Sequence, residues 1–324
     1  MLVLISLLPC DISEYTYRFI FHDIGRLNLT LFPMKKAYTQ CKIIATIKSL
    51  ASEIQTRCMR SGSVSVLLIL SVIVSNGQST ERVRIAAASD LKFALDSIVS
   101  VFTKTHVDAR IDVTYGSSGK LSEQISHGAP FDLFFSADTD YPMNLKSKGM
   151  TSGDVQTYGV GRIVIWSRQI DPNAQKIESL VDKTVSKIAI ANPMHAPYGK
   201  RAEEALRYYD IYDDVSSRLV YGENISQTAQ FVTTGAADVG IVALSLALSP
   251  TMKKMHGHYW VIPELAHKPL KQGFVLLKRA ERNPLATAFK DFVQTKHVSG
   301  ILANFGFGEN CTLNGNGWNG TLLF

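Results

Sequence analysis

The sequence predicts an α/β protein built on mostly parallel sheets, and three observations predict it. Short apolar runs of strand character alternate with helical segments from residue 83 almost to the end of the chain. Four of the strand-to-helix junctions carry the same kind of sequence, small or polar residues at the start of a helix. The chain is also large enough: 324 residues, 46% hydrophobic and 19% charged, suffice for two well-buried cores.

Val83–Ala88 is a continuous apolar run, the mark of a strand buried on both faces. Ser89 ends it and is placed to cap a helix on which Leu91, Leu95, Ile98 and Phe102 fall on one stripe. Arg110–Tyr115 alternates as a second strand, Gly116-Ser117-Ser118-Gly119 turns it, and Lys120–Ser126 reads as a short helix with Leu121 and Ile125 inward. Phe131–Ser136 is a third strand, and Gly161–Ser167 a strand leaving the first half of the fold. Strands follow at Lys187–Ala191, Arg218–Tyr221, Asp238–Leu244 and Lys271–Lys278, with helices at Lys200–Tyr209, Gln227–Thr233 and Pro284–Thr295. There is no internal repeat and no low-complexity block.

The amino terminus reads differently. Arg57-Cys58-Met59-Arg60, an apolar core over 64–74 and the small residues Ser75-Asn76-Gly77 have the form of a secretory signal peptide. Its core is too short for a bilayer, which takes about 20 residues. An export signal beginning that far into a chain implies Met59 as the true start. Residues 1–58 are then expected to be a non-native or disordered upstream extension, 59–79 the signal, and 310–324 a flexible tail. Residues 1–60 carry eight Lys/Arg against four acids, which leaves only +2 of the formal +6 for everything after them. That excludes a nucleic-acid surface. All four cysteines (10, 41, 58 and 311) lie outside the expected mature domain, so no disulfide framework or cysteine nucleophile is available there.

The four junctions are Ser89, Ser117/Ser118, Pro197/Tyr198/Gly199 and Asn224/Ile225/Ser226. A helix start offers free N–H groups and the positive end of its dipole, so four of them at the carboxyl ends of strands suit an anion. An enzyme needs more. Gly116-Ser117-Ser118-Gly119 lacks the spacer of a nucleophile elbow, His127 and His195 have no acid at triad spacing, and His256-Gly-His258 falls short of a metal site. A hydrolase or metalloenzyme is the weakest alternative, and no catalytic residue, cofactor or direct metal ligand is expected.

Seven segments in register carry a family resemblance. They are Ala86-Ala87-Ala88-Ser89-Asp90-Leu91, Gly116-Ser117-Ser118-Gly119-Lys120-Leu121, Gly128-Ala129-Pro130-Phe131-Asp132 running to Asp138, Ala191-Asn192-Pro193 running to Gly199, Gly222-Glu223-Asn224-Ile225, Ala237-Asp238-Val239-Gly240-Ile241-Val242, and Phe305-Gly306-Phe307. Residues 82–309 resemble the periplasmic molybdate-binding proteins, the solute receptors of molybdate ABC importers. The resemblance implies a two-lobed periplasmic-binding-protein (type II) fold with two crossing strands, one lobe from 80–162 plus 272–309 and the other from 163–271. It implies a tetrahedral oxyanion, molybdate or tungstate, held by Ser89 and Ser118 through hydroxyl and N–H and by the backbone N–H of Tyr198 and Ile225. Asp90 and Ser117 are secondary candidates. Some members add a tyrosine hydroxyl where this chain has Ala243, and Tyr198 is its expected replacement. The implied partner is an ABC permease in the membrane, the implied location the periplasm and the implied state a monomer. A receptor for sulfate or phosphate is the nearest alternative. Asp90, adjoining Ser89, reads first as an acid favoured by the helix dipole, and Lys120 and Lys200 as steering charges.

Overall fold

The computed structural model describes residues 82–308. The expected upstream extension, signal segment and tail, with all four cysteines, lie outside the described residues.

Among the described residues ten strands form two five-stranded sheets. The first has the order β2-β1-β3-β10-β4, from β1 (Arg82–Ala88), β2 (Arg110–Gly116), β3 (Leu133–Ser136), β4 (Thr151–Gly161) and β10 (Leu270–Leu277). The second has the order β7-β6-β8-β5-β9, from β5 (Ile163–Ser167), β6 (Ile188–Ala191), β7 (Leu219–Gly222), β8 (Val239–Ala243) and β9 (His258–Val261). In each sheet the central strands run parallel and one return strand runs against them. β1 pairs in parallel with β2 and β3, while β10 is antiparallel to β3 and β4. β6 pairs in parallel with β7 and β8, while β5 is antiparallel to β8 and β9. The chain passes from the first sheet to the second at Arg162, and returns between β9 and β10.

Helices cover the sheets as the alternation requires: α1 (Lys92–Thr105), α2 (Ser118–Ser126), α3 (Asp140–Ser147), α4 (Pro197–Tyr208), α5 (Ile225–Thr234), α6 (Pro284–Val293) and α7 (Lys296–Asn304). The stripe of α1 is buried as the spacing predicts, with Leu95, Ile98 and Phe102 against the first sheet. Phe102 meets Phe289 of α6 edge-on at 5.1 Å, and Phe135 of β3 stacks on Phe274 of β10 at 4.8 Å. In α6, Asn283 caps the helix by accepting from the N–H groups of Leu285 and Ala286, and Pro284 sits where no N–H is required. Asn283→Ala is expected to cost about 1 kcal/mol of stability, read as a lower urea midpoint with an unchanged slope.

Some boundaries differ from expectation. Gly161–Ser167 is not one strand: β4 ends at Gly161, Arg162 forms the crossing, and β5 begins at Ile163 in the other sheet. β4 itself escapes the sequence reading because Thr-Ser-Gly-Asp-Val-Gln-Thr-Tyr-Gly-Val-Gly carries three glycines and no apolar alternation. It is an edge strand whose pairing to β10 shifts register twice, so few of its side chains are buried. α3 and α7 also lack a clear apolar stripe in the sequence, and β9 is only four residues long.

Candidate functional site

The carboxyl end of β1 delivers Ser89 and Asp90 into a three-residue 3₁₀ turn ahead of α1. Ser89 does not cap its own helix. Ala88 holds the cap position, and the Ser89 hydroxyl reaches out of its lobe to donate to Asn224 Oδ1 at 3.1 Å. The 3₁₀ turn accounts for this, since it displaces the first turn of α1 to Lys92 and leaves the Ser89 side chain facing the other lobe. Ser226 completes the contact: its N–H donates to Ser89 Oγ at 3.3 Å and its hydroxyl to the Ser89 carbonyl at 2.9 Å. Asn224 Oδ1 also caps α5, accepting from Ser226 N–H and Gln227 N–H. With the Ser89 hydroxyl it has three donors for two lone pairs, so that hydroxyl is readily surrendered to a better acceptor.

Asp90 stands in the first turn, as an acid favoured by the helix dipole does, but its carboxylate is taken up by two side chains. It is 1% exposed. Its Oδ2 accepts from the Tyr198 hydroxyl at 2.9 Å and from Gln272 Nε2 at 2.8 Å. Burial pushes its carboxyl up to about 6, against the lowering effect of those two hydrogen bonds. The carboxylate is therefore engaged with these two donors.

β2 ends at Gly116, and Ser117 takes the cap position of α2. Ser118, the first residue of the helix, is 0% exposed, and its Oγ accepts from the Ala137 N–H at 3.0 Å. An oxygen that accepts in this way keeps its own proton free to donate. Ser117 is directed elsewhere: its Oγ contacts His195 Nδ1 at 3.0 Å, and burial holds the imidazole below its usual range. Gly119 N–H donates to the His195 carbonyl at 2.9 Å, and a Cβ at Gly119 would lie only 2.7 Å from that oxygen. Glycine is required here because two backbones touch.

In the second lobe β6 runs through Asn192–Ala196 into α4, with Pro197 first and Tyr198 next. β7 runs through Asn224 into α5, with Ile225 first. The N–H groups of Ser118, Tyr198 and Ile225 sit in first turns, where a helix supplies no acceptor, and none has one among the described residues. Tyr198 departs from expectation in its side chain. The ring is buried and its hydroxyl is held by Asp90 and Gln272, so it cannot replace the donor absent at Ala243. The reason is geometric: the side chain packs onto the crossing strands, where its hydroxyl lies beside Gly161 and Gln272.

Contacts between lobes join the four junctions in a ring. Ser89 meets Asn224 and Ser226, Ser117 and Gly119 meet His195, Asp90 meets Tyr198, and Lys120 pairs with Glu223. Glu223 also lies 3.7 Å from His195 Nε2. Lys120, Glu223 and His195 are thus matched with one another, the Asp90 carboxylate is held by neutral donors, and the groups left to donate are uncharged O–H and N–H. Such a set suits a fully deprotonated oxyanion, which only accepts. No cluster of metal-ligating side chains occurs among the described residues. Sequence reasoning missed Gln272 and Tyr158, whose hydroxyl donates to Gln272 Oε1 at 2.6 Å. A glutamine inside the apolar run of β10 was the available signal.

Two α/β lobes, joined by two crossings and meeting through four helix starts, define a two-lobed solute receptor. The chain belongs to the bacterial extracellular solute-binding proteins, whose family model matches residues 83–308. It is 33% identical to the molybdate-binding protein ModA of Rhodobacter capsulatus over 251 residues, 77% of this chain and 96% of that protein. It is 32% identical to ModA of Azotobacter vinelandii over 70% of this chain and 89% of that one. Among solved structures it superposes on the Azotobacter vinelandii periplasmic molybdate-binding protein with a TM-score of 0.64 and 28% identity, covering 69% of this chain and 98% of that chain.

Proposed function

We propose that the protein is an extracytoplasmic receptor that takes molybdate or tungstate between its lobes and delivers it to an ABC import permease. One observation supports the reading: helix starts of the two lobes contact one another, the N–H groups of Ser118, Tyr198 and Ile225 in them have no acceptor among the described residues, and Lys120 pairs with Glu223. The likeness to molybdate-binding relatives supports the choice of oxyanion.

In this reading Ser118 donates its free hydroxyl proton and N–H, Ser89 exchanges Asn224 for the anion, and Tyr198 and Ile225 donate their backbone N–H groups. The bonds go to oxide oxygens, and no protein atom reaches the metal. The lobes hinge over the anion, and its binding energy shifts the population toward the closed form that docks on the permease. Cavity size separates molybdate and tungstate from the smaller sulfate. The protein acts without catalysis or cofactor, as a monomer in the periplasm, exported by the segment 59–79.

Calorimetric titration of the purified full chain with molybdate, tungstate, sulfate and phosphate tests this. Tight binding of the first two is the expected result, and a response to phosphate alone would overturn the choice of ligand.

A further inference from the structure

We propose that Asp90, Tyr198 and Gln272 form a latch between the lobes that is assembled on closure and sets how long the anion stays bound, without touching the anion. The inference rests on the receptor reading above and adds the side chains of Asp90, Tyr198 and Gln272, which that reading does not use. Asp90 belongs to the first lobe, at the end of β1, and Tyr198 to the second, in the first turn of α4. Gln272 stands on β10 just after the return crossing. Its Nε2 donates to Asp90 Oδ2 and lies 2.9 Å from the Tyr198 hydroxyl, so the three groups close a triangle across the boundary. Tyr158 on β4, at the outgoing crossing, donates to Gln272 Oε1 and fixes which way the amide faces. Both crossings therefore contribute to the cluster. Gly161 lies beside it, and any Cβ there would overlap the Tyr198 hydroxyl and Gln272 Nε2. The Asp90 backbone is gripped from the second lobe as well, since Ser245 Oγ donates to its carbonyl at 2.8 Å.

Opening the lobes separates Asp90 from Tyr198 and returns the carboxylate to water. Closing them buries it, with Oδ1 left unpartnered among the described residues. The titratable groups that face it are the hydroxyls of Tyr198 and Tyr158, both held protonated by burial and by the Asp90 charge, and no cation contributes to its shift. The closed form thus holds Asp90 near 6, whereas the open form returns it to the ordinary range of about 3.8. A carboxyl raised on closure makes closure more favourable as pH falls through 6, and the gain is complete once pH drops below the open-form value. Between pH 8 and pH 5 the gain is about tenfold in affinity.

The test is the Tyr198→Phe protein, with molybdate as ligand, measured by calorimetry and by stopped-flow dissociation at pH 8 and pH 5. The expected result is dissociation at least about tenfold faster than wild type at pH 8, with association unchanged. The deficit should shrink at pH 5, because protonated Asp90 needs the hydroxyl less. A general folding defect would not titrate in this way. Asp90→Asn gives a second readout, an affinity flat between the two pH values where wild type changes about tenfold. Wild-type binding with an unchanged off-rate in Tyr198→Phe, or an Asp90→Asn protein that keeps the wild-type slope, overturns the latch and leaves the receptor reading standing. A wild-type protein that does not bind molybdate at either pH overturns the receptor reading and the latch together.

Discussion

Replacing Ser118 with alanine is expected to weaken molybdate binding by about 1.5–3 kcal/mol, a tenfold to hundredfold rise in Kd. The size follows from what the hydroxyl does. Its oxygen accepts from the Ala137 N–H, which leaves its proton to donate, in the proposed reading, to the anion. A hydrogen bond to a charged group is worth more than one between neutral groups, and Ser118 is fully buried. The substitution has a second cost, because it leaves the Ala137 N–H without its acceptor and lowers stability by about 1–3 kcal/mol. The two effects separate cleanly: Kd is measured by calorimetry well below the melting range, and stability by urea unfolding without ligand. Ser122→Ala is the control, one turn along the same helix and buried, with no side-chain bond to the ring. It should bind as wild type does. An unchanged Kd in Ser118→Ala would remove Ser118 from the site.

The residues legible in the sequence were those whose signal is local. A short apolar run, a small residue and the first turn of a helix occupy about ten consecutive positions, so each junction shows in the sequence, while the choice of Ser89, Ser118, Tyr198 and Ile225 within them came from the family resemblance. What those residues do with their side chains was not legible, because it depends on the opposite lobe. Ser89 looked like a helix cap and bonds Asn224, which follows it by 135 positions. Asp90 looked like an acid favoured by the helix dipole, and its carboxylate is bonded by Tyr198 and Gln272, the latter 182 positions on. Tyr198 looked like a hydroxyl donor to the ligand, and its hydroxyl is spent on Asp90. The crossing strand β4 was invisible for a related reason. A glycine-rich edge strand has no buried face to impose alternation, and its partner β10 lies more than a hundred residues away.

The second large effect concerns the frame rather than the donors. Phe135→Ala is expected to cost about 3–5 kcal/mol of stability, a large share of what holds a typical domain folded. Phe135 is 1% exposed in the middle strand of the first sheet, opposite Ala87 of β1 and Phe274 of β10. Its ring lies stacked on Phe274 at 4.8 Å and meets Phe289 of α6 at 6.5 Å and a steep angle. Removing it leaves a void between two sheet neighbours and a helix, and close-packed backbone on three sides limits how far they can collapse into it. The effect reaches the site through the chain itself. β3 runs from Phe135 through Ser136 to Ala137, whose N–H positions Ser118, so a shift of this strand end moves the donor that the first prediction tests. Urea unfolding should give a lower midpoint with an unchanged slope, and calorimetry below the transition a Kd raised by less than in Ser118→Ala. A stability loss under about 1 kcal/mol would mean that the aromatic cluster is not packed as described. A Kd raised as much as in Ser118→Ala would mean that the strand end, and not the hydroxyl, carries the binding effect.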